Sequence, residues 1–320
     1  MVILHVTSVS HGAGKTAICA GLGKLLLMKG SKCGYFKPVI GTNFDTDAAF
    51  LKDILSLSDP LDLISPTYRD EASFISGAKV TFEKIARGKD VVLIEHVLPG
   101  INQLLPGKTL MIAGYSDIDT LPDLADKKNG SVDVWILNKI PVSQIKPAKT
   151  KIESIWTQTV NVLGMLPEDK TLLTFSLSEL AQLIEGQIIS SPDMKDSLTV
   201  NYMLGALTVD SALPYFNRKS GKVAILRAER SDMQMAALAT DATAMVLYGE
   251  TPMIPIVHLR ARDKKVLVIT TRLNAQAIAT RMEETILKTK FNQPGKLPRL
   301  IELMSQNLDL PKLYKELGLN

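Results

Sequence analysis

Val2-Ile3-Leu4-His5-Val6 opens the chain. Ser8-Val9-Ser10-His11-Gly12-Ala13-Gly14-Lys15-Thr16 follows, and a helical run extends from Ala17 to Met28. An apolar strand, a glycine-containing loop ending in Gly-Lys-Thr and a helix form the context of a phosphate-binding loop. Gly12 and Gly14 let backbone N–H groups approach phosphates closely. Lys15 places a charge at the phosphate oxygens, and Thr16 offers a hydroxyl to Mg²⁺. The helix N-terminus adds a dipole that favours anions. His11, Gly12, Ala13, Gly14, Lys15, Thr16 and Ala17 are therefore the expected nucleotide-binding segment. The usual spacing has a glycine where this chain has Val9. A chance Gly-Lys-Thr at a strand–helix turn is the alternative.

The pattern outward from this loop alternates strands and helices. Apolar runs occur at Val2–Val6, Cys33–Phe36, Val91–Ile94, Thr109–Ile112, Val134–Leu137 and Val160–Leu163. Helical patterns lie between several of them, at Thr16–Met28, Asp47–Leu57, Asp70–Ala86 and Pro147–Trp156. This predicts an α/β fold, a parallel sheet with helices on both faces. Uninterrupted Val/Ile/Leu strands suit burial on both sides.

Ligands in such sheets bind beyond the carboxyl ends of the strands. Lys15 follows the first strand, Lys37 the second, Glu95 ends a third, and Asn138-Lys139 end a later one. Each has a bland reading: a snorkelling surface lysine, a capping carboxylate, a turn-forming asparagine. Their convergence on one rim predicts a site.

A boundary is expected after Leu166-Pro167-Glu168-Asp169-Lys170, where proline and charge end the last strand. A new helix then starts at Ser176–Leu183. The second half is again α/β, with strands at Lys222–Leu226, Ala244–Leu247 and Lys265–Ile269 and helices at Met233–Ala239 and Gln276–Leu287. The expected organisation is 1–171, 172–295 and a helical tail, 296–320. Ile301, Leu303, Met304, Leu308 and Leu310 of the tail need burial, either within the chain or against a partner.

Composition narrows the classes. The 320 residues are 46% hydrophobic, enough for packed cores. No apolar run reaches membrane-helix length, and the first is too short for a signal peptide and lacks a basic flank. Two cysteines, Cys19 and Cys33, make no disulfide framework, and reduced thiols fit a cytoplasmic location. Net charge is +4, and basic runs such as Lys127-Lys128 and Arg260–Lys265 lack interleaved aromatics, so nucleic-acid binding is not expected. The four histidines have no metal-ligand spacing. No G-x-S-x-G hydrolase elbow occurs.

The motifs resemble a known group. Ser8 through Gly14-Lys15-Thr16, Gly34-Tyr35-Phe36-Lys37-Pro38-Val39 and Thr46-Asp47-Ala48 are similar to the dethiobiotin synthetase and cobyrinate diamide synthase group. Val92-Leu93-Ile94-Glu95, Leu137-Asn138-Lys139 and Gly164-Met165-Leu166-Pro167-Glu168-Asp169 resemble that group's later motifs. The resemblance implies a P-loop NTPase-type domain. It implies that Lys37, with Lys15 the candidate catalytic lysines, contacts phosphate or substrate. Asp47 and Glu95, with Thr16, would bind Mg²⁺, and Asn138 would read the adenine of ATP.

Val209–Phe216 and Arg230–Leu238 look like a smaller α/β DRTGG-type domain. The pair resembles the N-terminal regulatory region of long phosphotransacetylases and related stand-alone proteins. Departures are visible. Neither Ser8 nor Val9 is glycine, His96-Val97 replace small glycine-rich residues, and Arg227 and Ala228 stand where relatives favour glycine. A Cβ there is expected to narrow a ligand pocket. No phosphotransacetylase catalytic domain and no glutaminase domain are expected.

Three functions stay open. The first is an ATP–Mg²⁺-binding regulatory or sensor protein, possessing at most slow ATPase activity. The second is an ATP-dependent carboxylate-activating synthetase. The third is an interaction protein that binds no nucleotide. A homodimer is expected, with an acyl transferase or similar metabolic enzyme as a further partner. In the second domain Arg230 and Asp232 follow a strand and precede a helix. They are either an anion site or the capping charges of that helix.

Overall fold

The computed structural model describes all residues except 42–45, 97, 99, 128–131, 156–160, 207, 287, 288, 317, 319 and 320. The chain divides into two compact units, 1–169 with 296–320, and 170–295.

The first unit is built on β1 (Val2–Ser8), β2 (Cys33–Phe36), β3 (Val39–Ile40), β4 (Thr67–Tyr68), β5 (Val91–Glu95), β6 (Lys108–Ala113), β7 (Val134–Ile140) and β8 (Val162–Pro167). Six of these form one sheet in the order β2-β5-β1-β6-β7-β8, while β3 and β4 pair as a short ribbon. Every pairing in the sheet is parallel. All five residues of β5 are buried, which explains a strand of continuous Val, Leu and Ile. Helices Lys15–Met28, Thr46–Ile54, Glu71–Ala86, Leu121–Lys127 and Ile145–Ile155 connect them. The third begins where expected because Asp70 caps it: Ser73 N–H donates to Asp70 Oδ1 at 2.8 Å, and Ser73 Oγ accepts from the Asp70 N–H.

The last expected strand of this unit shifts. It runs Val162–Pro167 rather than Val160–Leu163, and Val160 lies outside the described residues. Helix Pro147–Trp156 instead starts at Ile145, with Pro147 in its first turn, where a missing N–H costs nothing. Trp156, Leu287 and Lys128 also lie outside the described residues.

The second unit contains β9 (Gln187–Ser190), β10 (Asn201–Leu204), β11 (Lys222–Arg227), β12 (Ala242–Tyr248) and β13 (Leu267–Thr271), ordered β10-β11-β12-β13-β9. Only β9 is antiparallel. Alternation sorts the strands cleanly. Ala224, Leu226, Met245, Leu247 and Val268 face one core with helices Val209–Phe216, Ser231–Leu238 and Pro255–Asp263. Val223, Ile225, Ala244, Val246, Leu267 and Ile269 face the other, with Leu177–Leu183 and Ala275–Ile286. Ser176 and Glu179 close a capping box on the first of these helices, as the S-x-x-E spacing implies.

The tail returns to the first unit. Helix Leu297–Asn307 buries Leu300, Leu303 and Met304, and Leu308 pairs with Gly164 of β8 as an antiparallel bridge. Asp309 N–H donates to Leu163 O at 2.8 Å, and Arg299 Nε lies 2.9 Å from Asp169 Oδ2. The apolar tail face is thus used within the chain and gives no argument for a dimer. Gly164 has φ 157°, and a Cβ there would overlap the Asn307 carbonyl oxygen. Gly164→Ala is expected to cost about 2–3 kcal/mol, the scale of overpacking against backbone. Urea denaturation measures this loss, and a wild-type midpoint would contradict the docked tail. No helix among the described residues is long and apolar enough to cross a membrane.

Candidate functional site

Four strand ends meet at the carboxyl rim of the first sheet. The loop after β1 leads into helix Lys15–Met28 with Gly12 at φ 74° and Gly14 at φ 100°. Both values are left-handed, which glycine adopts without a steric penalty. Val9 needs no such freedom. Its N–H donates to Ile112 O at 2.9 Å, and its side chain packs on the core around Met111, Trp135 and Leu137. The missing first glycine is therefore a residue that continues the β1 ladder.

Two consecutive residues of β7 hold this loop from the side. Asn138 Nδ2 donates to Ala13 O at 2.8 Å and Lys139 Nζ donates to Gly12 O at 2.9 Å. Two carbonyl dipoles that would repel a phosphate are thereby satisfied by donors. Lys139 itself sits at φ 56°, an uncommon conformation for a non-glycine residue. Because the Ala13 carbonyl only accepts, Asn138 turns its NH₂ to the loop and keeps its Oδ1 as the remaining acceptor.

Thr16 begins an oxygen cluster. Its hydroxyl lies 2.9 Å from Glu95 Oε1 and 3.3 Å from Asp47 Oδ2. Lys37 Nζ bridges the same two carboxylates, at 3.0 Å from Glu95 Oε1 and 3.2 Å from Asp47 Oδ2. The backbone of Lys37 is fixed by its N–H on Ile64 O and by Ser65 Oγ on its carbonyl. Lys15 Nζ donates to Ser8 Oγ at 3.0 Å. Burial pulls the Lys15 ammonium below the ordinary lysine value; Glu95 opposes that shift and Lys37 adds to it. The rim therefore brings together Lys15, Thr16, Lys37, Asp47 and Glu95, with Asn138 beside the loop. His11 is exposed and Ala17 half-buried on the same segment.

The donor set fits a small hard cation. One hydroxyl and two carboxylates present only oxygen, and Mg²⁺ takes one or two carboxylates alongside phosphate oxygens. No group of three or more His, Cys, Asp or Glu among the described residues could form an all-protein metal cage. A divalent cation drawing on Asp47 and Glu95 would compete with the Lys37 ammonium that now neutralises them.

Beside the loop lies a cleft of ≈ 360 Å³, lined by His11, Ala13, Tyr115, Ser116, Asn138 and Pro141 among others. This is within the range of small-molecule sites. Tyr115 is braced by its hydroxyl on Gln144 Oε1 at 2.9 Å.

Sequence reasoning did not single out Tyr35. Its hydroxyl, fully buried, donates to Glu95 Oε2 at 2.7 Å. The signal was available: Tyr35 and Lys37 are two apart, and strand alternation puts such residues on one side. His96 is buried too, with its Nε2 3.1 Å from His5 Nδ1, while His5 Nε2 donates to Leu105 O at 2.7 Å. Burial holds the His5 pKa below the ordinary histidine value, and the hydrogen bond to the Leu105 carbonyl opposes that shift. Val97 lies outside the described residues.

In the second unit Arg230 and Asp232 are brought together, chiefly with each other. Arg230 Nε lies 2.9 Å from Asp232 Oδ1, and Nη2 lies 2.7 Å from Oδ2. Both are about 37% exposed. That hydrogen bond to Arg230 lowers the Asp232 pKa. Ala228 follows β11 directly. Its methyl is buried in the apolar core, and its N–H donates to Tyr248 O at 2.9 Å. Gln234 Nε2 caps the Arg227 and Ala228 carbonyls of the same turn.

Known proteins carry the same parts. Residues 3–96 match an AAA domain family and residues 179–285 match the DRTGG domain family. Over 271 residues the chain is 21% identical to a phosphate acetyltransferase of Synechocystis, covering 73% of this chain and 39% of that protein. A phosphate acetyltransferase of Nitratidesulfovibrio vulgaris is 22% identical over 281 residues, with 74% and 39% covered. The chain thus spans 39% of the length of these relatives. An ATP-dependent dethiobiotin synthetase of Methanococcus vannielii is 27% identical over 106 residues, covering 29% of this chain and 50% of that protein. Among solved structures, the MinD cell division protein of Aquifex aeolicus aligns with TM-score 0.36 at 19% identity, covering 54% of this chain and 84% of that one. The CBS and DRTGG domains of a Clostridium perfringens pyrophosphatase align with TM-score 0.32 at 14% identity, covering 37% and 51%. The chain carries a P-loop AAA-type domain followed by a DRTGG domain, and it is homologous to phosphate acetyltransferases and dethiobiotin synthetase.

Proposed function

We propose that this chain is an ATP–Mg²⁺-binding regulatory or sensor protein of the phosphotransacetylase N-terminal type. The first unit binds the nucleotide, and the second senses a ligand or mediates assembly. The carrying observation is the cluster of Thr16, Asp47, Glu95 and Lys37 beside a left-handed Gly12–Gly14 loop that leads into Lys15. In this reading Lys15 and Lys37 hold phosphate oxygens, and Thr16, Asp47 and Glu95 hold the cation, which supplies charge neutralisation of the phosphates. Asn138 faces the base with its remaining Oδ1. The expected setting is the cytoplasm, as a homodimer, with an acyl transferase or similar metabolic enzyme as partner.

His96 supports regulation over synthesis. The group that activates carboxylates has small residues after the Glu95 position, whereas here a buried imidazole hydrogen-bonded to His5 follows Glu95. The second reading, an ATP-dependent carboxylate-activating synthetase, is favoured by Lys37 lying between Asp47 and Glu95 and by the synthetase homology. ADP release separates the two. The regulatory reading expects slow turnover that diamino acids and carboxylic acids leave unchanged. A rate that climbs when one of those classes is added would replace it with the synthetase.

A further inference from the structure

Glu95 divides its two oxygens between two tasks. Oε1 meets Thr16 at 2.9 Å and Lys37 at 3.0 Å, on the cation side. Oε2 accepts from the Tyr35 hydroxyl at 2.7 Å, inside the sheet. Tyr35 is fully buried on β2, and Glu95 is 2% exposed on the neighbouring strand β5. A short hydrogen bond to an ionised oxygen is among the stronger ones, and here it is shielded from water. Turning the carboxylate to present both oxygens outward would break that bond.

We propose that Tyr35 is a positioning residue that makes Glu95 a one-oxygen ligand, and that it thereby sets the preference of the site for Mg²⁺ over Ca²⁺. The inference rests on the reading of Glu95 as a cation ligand. The chemistry is one of geometry. Ca²⁺ accepts six to eight oxygens at roughly 2.3–2.6 Å and readily takes carboxylates in bidentate fashion, whereas Mg²⁺ requires a tight octahedron at about 2.0–2.1 Å. A carboxylate locked with one oxygen forward serves the second ion and starves the first. The Asp47 side chain, at 24% exposure, lies nearer solvent than Glu95.

The test uses the full chain and calorimetric binding of ATP with Mg²⁺, with Ca²⁺ and with EDTA. Wild type is expected to bind ATP more tightly with Mg²⁺ than with Ca²⁺. Tyr35→Phe, which removes one oxygen and little volume, should shrink that ratio by roughly tenfold, the effect of one charge-assisted hydrogen bond. Binding in EDTA should stay unchanged, which a general loss of structure would not allow. In a double-mutant cycle the Tyr35→Phe effect should vanish on a Glu95→Gln background. If the phenylalanine variant does not fold, Tyr35→His and Tyr35→Leu are compared, one keeping a donor and one lacking it; only the leucine should lose selectivity. An unchanged Mg²⁺/Ca²⁺ ratio in the donor-less variant, or an effect that persists without Glu95, overturns the role of Tyr35 alone. Wild-type binding indifferent to any divalent ion overturns the cation site itself, and this inference with it.

Discussion

Millimolar ATP with Mg²⁺ is expected to raise the melting temperature of this protein, and Lys15→Ala to remove most of that rise. A ligand that binds only the native state stabilises it by RT ln(1 + [L]/Kd), about 2.7 kcal/mol at a hundredfold excess over Kd. Lys15 is held beside the loop by Ser8 at 3.0 Å and is partly desolvated. A phosphate that pairs with this ammonium recovers the charge interaction that burial made costly, so the gain exceeds that of an exposed lysine. Differential scanning fluorimetry across an ATP titration reads the shift. The alanine variant keeps the Gly12–Gly14 backbone, so its melting point without ligand should stay near that of wild type. A wild-type curve unmoved by millimolar ATP would refute nucleotide binding and return the chain to the class of interaction proteins.

Much of this was legible because the first unit obeys simple rules. A fully buried parallel strand must be apolar throughout, and Val91–Glu95 is, up to the carboxylate that ends it at the rim. The rim residues were legible for the same reason: a polar group at the carboxyl end of such a strand has few structural uses. β9 and β10 carry no such signal. Each has four residues, lies at a sheet edge and mixes polar with apolar side chains, so neither carries a period. Val160, Val162 and Leu163 suggest an earlier strand, but Asn161 interrupts them and β8 runs from Val162 through Gly164, where it meets the tail. The loop clamps were beyond reach. Asn138 and Lys139 touch carbonyls 125 and 127 residues earlier, and their types alone suggest only a turn. Tyr35 lay between these extremes, with its side given by alternation and its partner given only by the pairing of β2 with β5.

Gly14→Ala is expected to be the most damaging single methyl in the loop between β1 and helix Lys15–Met28. Gly14 sits at φ 100°, where an L-residue pays roughly 1–2 kcal/mol. A Cβ there would also overlap Asn138 Nδ2. That amide is a flexible side-chain end, but it is not free to yield: it donates to Ala13 O at 2.8 Å. Making room breaks that bond and leaves the Ala13 carbonyl without its donor, a further ~1 kcal/mol or more. The sum, about 2–3 kcal/mol, should appear as a lower urea midpoint, accompanied by weakened ATP binding because the same bond shapes the loop. Gly12 supplies the control. Its φ of 74° is also left-handed, yet a Cβ there meets nothing within 4 Å. Gly12→Ala should therefore show the backbone strain alone, and the difference between the two variants isolates the contact with Asn138. Adding Asn138→Ala to Gly14→Ala should cost little further stability, because the bond to Ala13 O is already broken in the single variant. Equal midpoints for the two glycine variants would mean that Asn138 does not press on the loop, and the arrangement of β7 against the phosphate site would have to be redrawn.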